Sequence, residues 1–175
     1  ELTAIVTCLR RKEIRLHTLT GPVGVGKTRL AIEAGHRLLD DYRHGVYLVS
    51  LASTHDASLI PSLTAAALGV REGSNRGPAQ AVADYLAHRE ILLIFDEFDH
   101  LQPGAPYLAS LLASAPDLHL LVTSRSSLGL YGEHEFRVAP LPLPERSADP
   151  QDSLTSAVQL FTDRAHAARA DFHLT

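Results

Sequence analysis

Leu16-His17-Thr18-Leu19-Thr20-Gly21-Pro22-Val23-Gly24-Val25-Gly26-Lys27-Thr28 is the stretch on which the fold turns. A short run of strand character enters a glycine-rich bend, and the spacing of Leu30, Ala34 and Leu38 carries a helix away from it. Strand, glycine loop and helix make half of a βαβ unit, and Gly21 to Thr28 fits G-x-x-x-x-G-K-[ST].

Glycines at 21, 24 and 26 open backbone conformations closed to other residues and let the chain approach a polyphosphate. Successive N–H groups and the positive start of the following helix then face anionic oxygens. The binding loop is therefore assigned to Gly21, Val23, Gly24, Val25, Gly26, Lys27, Thr28 and Arg29. Lys27 supplies a mobile charge for the β and γ phosphates, and the Thr28 hydroxyl is placed to bind Mg²⁺. The chain has only two lysines, Lys12 and Lys27, so a lysine at this point of the loop is notable. The alternative is a glycine-rich structural turn, but with Gly at about 7% of average usage a chance match to the pattern comes to roughly 1% or less.

Outward from the loop the same alternation repeats. Leu2, Ile5, Val6 and Leu9 space an amphipathic opening helix that ends in Arg10, Arg11 and Lys12, cations suited to a negative helix end. Val46 to Leu51 reads as a strand, and Leu59, Ile60, Leu63 and Ala67 as a helix. Gly69 to Pro78 is a loop, and Val82, Tyr85 and Leu86 mark another helix. Ile91 to Phe95 is continuously apolar and Leu118 to Thr123 largely so, as parallel strands covered on both faces are, with a helix through Leu108, Leu111 and Leu112 between them. Phe136 and Val138 alternate with polar residues, as in a less buried last strand. The alternation predicts an α/β fold of three αβα layers. The glycine-loop pattern resembles that of P-loop NTPases, and this resemblance implies a five-stranded, mostly parallel sheet in the ASCE-type order 5-1-4-3-2. Leu141-Pro142-Leu143-Pro144 ends regular structure. Residues 1–144 are thus the expected core, and 145–175 a linker and a helix carrying Leu154, Val158, Phe161 and Ala165.

Composition narrows the function. Sixteen Lys+Arg against 20 Asp+Glu give a formal charge of −4 and remove the general attraction to nucleic acid that dedicated binders show. The lone Cys8 can close no intrachain disulfide and has no thiolate partner for a metal, which suits a cytoplasmic setting. No apolar run approaches the ~20 residues of a membrane span, and the start lacks signal-peptide order. The absence of Met, position 1 included, is expected of an excerpt from a longer chain. Ten histidines show no metal-ligand spacing, and nearly all are expected at the surface or its boundary.

Triphosphate chemistry also needs a carboxylate at the end of a neighbouring strand. Asp96, directly after the apolar run, is the candidate second metal residue, holding Mg²⁺ through water, and Glu97 the group that orients the attacking water. Asp99 and His100 read as turn or cap residues. At the tip of the next strand, Val122-Thr123-Ser124-Arg125, Arg125 can touch a γ-phosphate and tell triphosphate from diphosphate.

Taken together, these stretches resemble the nucleotide-binding domain of STAND signalling ATPases, and within them the NB-ARC-like ATPases of large bacterial LuxR- and SARP-type transcriptional regulators. The likeness lies in Thr18 to Ala31, Leu92 to Asp96 with His100-Leu101, and Val122 to Arg125 through Leu128-Gly129 and Gly132-Glu133. It continues in Leu141 to Pro144 and in Ala157-Val158, Leu160-Phe161, Arg164-Ala165 and Phe172. It implies a switch that rests with ADP, signals with ATP in an open and often oligomeric form, and resets by slow hydrolysis. It also implies lid, winged-helix and sensor domains in the same protein. Such regulators often carry Asn after the metal aspartate and Glu two residues further on, where this chain has Glu97 and Asp99.

Rival readings are fewer. Guanine selection through N-K-x-D is excluded, since Asn75 is the only Asn and Arg76 follows it. Asp96-Glu97-Phe98-Asp99 fits the D-E-x-D box of helicases, although the net charge and Arg125 argue against a nucleic-acid motor. A small-molecule kinase would need acceptor residues that are not apparent, and a nucleotide-binding module without hydrolysis is the remaining alternative.

Overall fold

The computed structural model describes residues 1–71, 76–140 and 162, and the chain divides into the units Glu1–Val138 and Ala139–Thr175. The expected linker and closing helix at 145–175 lie outside the described residues except for Thr162, which is helical. Within the first unit the elements run α1 (Leu2–Leu9), β1 (Leu16–Thr20), α2 (Lys27–Arg37), β2 (Val46–Ser50), α3 (Ile60–Leu68) and α4 (Pro78–Leu86). They continue with β3 (Ile91–Asp96), α5 (Ala105–Ser114), β4 (Leu118–Ser124) and β5 (Glu133–Arg137).

The sheet has the order β2-β3-β4-β1-β5, which is 5-1-4-3-2 read from the other edge. Every neighbouring pair is parallel, so the sheet is parallel throughout rather than mostly so. Strand residues alternate between two apolar layers. Leu16, Ile91, Leu93, Phe95, Leu118, Leu120 and Val122 join the layer that holds residues of α3, α4 and α5. Leu19, Leu92, Ile94 and Leu121 join the layer of α1 and α2, with Ile5, Val6, Leu9, Ala31 and Ala34. Two-sided coverage explains why β1, β3 and β4 are buried at every position while the edge strands β2 and β5 are not. Burying each large aliphatic side chain contributes about 1.5–3 kcal/mol, and these layers hold the loop ends in place.

Two expectations need correction. Arg10 and Lys12 do not merely close a helix: Arg10 pairs with Asp41 at 3.1 Å and Lys12 with Glu90 at 2.7 Å, tying the exit of α1 to segments far along the chain. His17 and His119 are buried, not peripheral, because they face the α1 layer from strands covered on both sides. Among the described residues no helix is long and apolar enough to cross a membrane.

Candidate functional site

Parallel strands all end on the same side, so the loop after β1 and the tips of β3 and β4 meet along one edge of the sheet. Gly21 opens the loop at φ 150°, and a Cβ there would sit 2.9 Å from the carbonyl oxygen of Val138, so the position admits only glycine. The Val138 N–H donates to the Thr20 carbonyl at 2.8 Å, and the Thr20 hydroxyl donates to Glu135 Oε1 at 2.6 Å. The loop thus leaves from a strand end clamped by β5. It closes at Gly26, whose left-handed φ of 100° caps α2. Lys27, Thr28 and Arg29 then form the first turn, whose N–H groups have no partner within the helix. Val23 stands exposed at the tip of the loop, Val25 packs against the α1–α2 layer, and Arg29 is exposed.

The Lys27 ammonium donates to the Gly21 and Pro22 carbonyls at 2.9 and 3.0 Å. Two of its three donors brace the loop, and one is left for an anionic oxygen. Next to it, Thr28 Oγ1 donates to Asp96 Oδ1 at 2.8 Å, so a helix start and a strand end more than sixty residues apart in sequence share one hydrogen bond. The same Oδ1 accepts from Thr123 Oγ1 at 2.6 Å, and the Thr123 hydroxyl accepts the Glu97 N–H at 2.9 Å. Thr123 is a site residue that the sequence reading passed over as part of a strand end. Its signal was a hydroxyl closing the apolar run Leu118 to Val122.

Asp96 is buried at 7% exposure, whereas the Glu97 side chain is exposed. Glu97 is the one non-glycine residue with positive φ among the described residues, at φ 62° and ψ 49°. A bulky residue in that region costs of order 1 kcal/mol and persists where its surroundings impose it, as at working sites. The imposing contact here is the Glu97 N–H on Thr123.

Arg125 lies just past β4, and its Nε meets Asp99 Oδ2 at 2.9 Å. Asp99, expected as a simple turn residue, is therefore an ionic partner of the candidate sensor. It rides on the 3₁₀ turn Phe98–His100, held from below by the fully buried Phe98, which packs edge-on to Phe95. The His100 Nε2–H donates to the Thr54 carbonyl at 2.6 Å. After the tip, Glu133 bends the chain into β5 by accepting the N–H groups of Leu128, Gly129 and Leu130 at 2.8 to 3.3 Å.

The edge thus gathers Lys27, Thr28, Asp96, Glu97 and Thr123, with Arg125 turned onto Asp99. Thr28 and Asp96 present hard oxygen donors 2.8 Å apart, a donor set that fits Mg²⁺ beside a phosphate chain.

Known proteins resemble this chain in sequence and in fold. The sequence profile of the AAA domain family matches residues 10–138. An uncharacterized protein of Mycobacterium tuberculosis is 34% identical over 159 residues, covering 90% of this chain and 38% of its own length. Another protein of that organism, whose name proposes an HTH-type transcriptional regulator, is 31% identical over 159 residues, 90% of this chain and 17% of its own length. The chain therefore spans well under half the length of these relatives. Among solved structures, a Signal Transduction ATPase with Numerous Domains from Pyrococcus horikoshii, with a tetratricopeptide repeat sensor, superposes with a TM-score of 0.52 at 17% identity, covering 91% of this chain and 27% of that one. That likeness concerns the fold. With the profile running from before β1 to the end of β5, the chain belongs to the AAA domain family of P-loop ATPases.

Proposed function

We propose that this domain is the adenine-nucleotide switch of a larger signalling ATPase that regulates transcription, binding ADP or ATP with Mg²⁺ and hydrolysing ATP slowly. The observation that carries the reading is the Thr28–Asp96 hydrogen bond at 2.8 Å, at the mouth of a glycine loop and the start of α2. It brings the two oxygen donors expected of a magnesium-triphosphate site together beside Lys27. The name of the 31% identical mycobacterial relative and the fold of the Pyrococcus protein support a multidomain regulator. The likeness to NB-ARC-like LuxR- and SARP-type ATPases makes the reading more specific.

In this reading the N–H groups from Val23 to Arg29 and the Lys27 ammonium bind the β and γ phosphates. Thr28 and Asp96 would hold the magnesium ion, which when bound offsets charge on the phosphate oxygens. Glu97, exposed at the strand tip, orients a water and accepts its proton as the water oxygen bonds to the γ-phosphorus. The bond to the bridging oxygen breaks, leaving ADP and phosphate. Arg125 contacts the γ-phosphate and reports its presence. Lid, winged-helix and sensor domains of the same protein, and a nucleotide-dependent homo-oligomer, complete the switch.

Calorimetric titration of the full protein with ADP and ATP, with and without Mg²⁺, tests this. Binding should need Lys27, and ATP should gain more than ADP from the metal. Unchanged affinity in Lys27→Ala would refute the site. ATP turnover that rises severalfold with single-stranded nucleic acid would favour the motor reading instead.

A further inference from the structure

Arg125 is the candidate γ-phosphate contact at the tip of β4, yet its Nε lies 2.9 Å from Asp99 Oδ2. The two partners are unequal. Asp99 is only 22% exposed and sits on a turn fixed by buried Phe98, by the His100–Thr54 hydrogen bond and by the Leu101 N–H on the Phe98 carbonyl. Arg125 is 59% exposed on a long, rotatable side chain. The carboxylate is therefore a fixed acceptor and the guanidinium the part that swings. A terminal phosphate carries more charge than a carboxylate and offers paired oxygens to the same guanidinium fork, so it can draw Arg125 away.

We propose that Asp99 is a positioning and specificity-determining residue: it holds the Arg125 guanidinium when no third phosphate is present, and so sets the ratio of ATP to ADP affinity. This rests on the reading of Arg125 as the γ-phosphate sensor. Because ATP draws Arg125 out of the Asp99 pair and ADP does not, the pair lowers apparent ATP affinity alone, by the fraction of molecules in which Arg125 is held. An exposed ion pair of this kind is weak, and the expected handicap is roughly two- to fivefold. That suits a switch meant to rest with the diphosphate.

The test uses the full protein and measures affinity for ADP and for a non-hydrolysable ATP analogue, both with Mg²⁺, by calorimetry. Asp99→Asn should tighten the ATP analogue roughly two- to fivefold with ADP unchanged, and Asp99→Glu should keep the native ratio. In an Arg125→Ala background, Asp99→Asn should change neither affinity. If Arg125→Ala weakens the ATP analogue but Asp99→Asn leaves the ratio where it was, the sensor stands and the role of Asp99 is overturned. If Arg125→Ala itself leaves ATP affinity unchanged, the sensor reading fails and Asp99 falls with it. If Asp99→Asn shifts ADP and the ATP analogue by the same factor, Asp99 shapes the loop generally and the proposal is wrong. Matching melting temperatures of Asp99→Asn and the native protein establish that both are folded when compared.

Discussion

Glu97 carries a conformation that its side chain does not favour. At φ 62° and ψ 49° it occupies a region where Asn is several-fold enriched and Glu is uncommon. The strain thus comes with the carboxylate, which points to its use. Replacing Glu97 by Asn should leave thermal stability unchanged or raise it by about 0.5 kcal/mol while lowering ATP turnover on the order of a hundredfold, measured by phosphate release. Glu97→Gln should lose turnover similarly without the gain in stability. Thr123→Val is the complementary experiment. It keeps shape but removes the hydroxyl that serves Asp96 Oδ1 and the Glu97 N–H, so it should destabilise the domain by about 1–3 kcal/mol in denaturant unfolding and weaken Mg²⁺-dependent ATP binding. That Gly21, Lys27, Thr28 and Asp96 meet at one edge was legible in the sequence, because the glycine-loop spacing and the end of an apolar strand each fix a position locally. Thr123 and Asp99 were not. Their contacts arise from register between strands and from a turn that aims a side chain, and neither leaves a local pattern.

The loop between β4 and β5 shows how an element can depend on a single side chain. Glu133 gathers the N–H groups of Leu128, Gly129 and Leu130, which have no strand partner, and its own backbone begins β5. Glu133→Ala should cost about 1–3 kcal/mol and raise amide exchange at 128–130, read by hydrogen–deuterium exchange. Since Glu135 of β5 and Val138 just after it clamp the start of the glycine loop, nucleotide affinity should fall with it. At this scale the sequence reading served well where burial is two-sided, as in β1, β3 and β4. It was least informative for β5, half-buried at the edge: Phe136 lies in the strand, but the strand begins at Glu133 and ends at Arg137, one residue short of Val138. The ion pairs from the exit of α1 to Asp41 and Glu90 leave no local pattern, because they link residues that only the tertiary fold makes neighbours.

Across the whole molecule, the end of the sheet away from the glycine loop carries a layer of histidines. His17, His119 and His134 are each the second residue of a strand and share the face toward α1. The rings of His17 and His134 lie 5.6 Å apart, tilted by 55°, and His119 meets the ring of Tyr42 edge-on at 5.4 Å. Burial is the main cause that lowers His17 to about 4, opposed by its hydrogen bond to the Ile14 carbonyl, while His134 and His119 lower it further. Burial also lowers His119, with Arg15 and Lys12 acting the same way and the Lys12 backbone and Glu90 opposing. A depressed histidine pKa means that the unfolded chain binds more protons between the two values. Stability should therefore be flat above pH 6.5 and fall as the pH drops toward 4, His17 alone contributing a loss on the order of 3 kcal/mol. Denaturant unfolding of the native protein and of His17→Gln across that range should show a shallower slope for the variant. An equal slope would mean that His17 is not the group being protonated.

The sheet order has a consequence for synthesis. β1, which leads into the glycine loop, pairs with β4 and β5, so it has no strand partner until the chain has been extended through Leu118 to Ser124 and then to Arg137. A ribosome adding about 5–20 residues per second leaves that strand unpaired for several seconds or more. Nascent chains stalled before Leu118 should stay open to protease at Leu16 to Thr20, and chaperones have their longest access to the molecule in that interval.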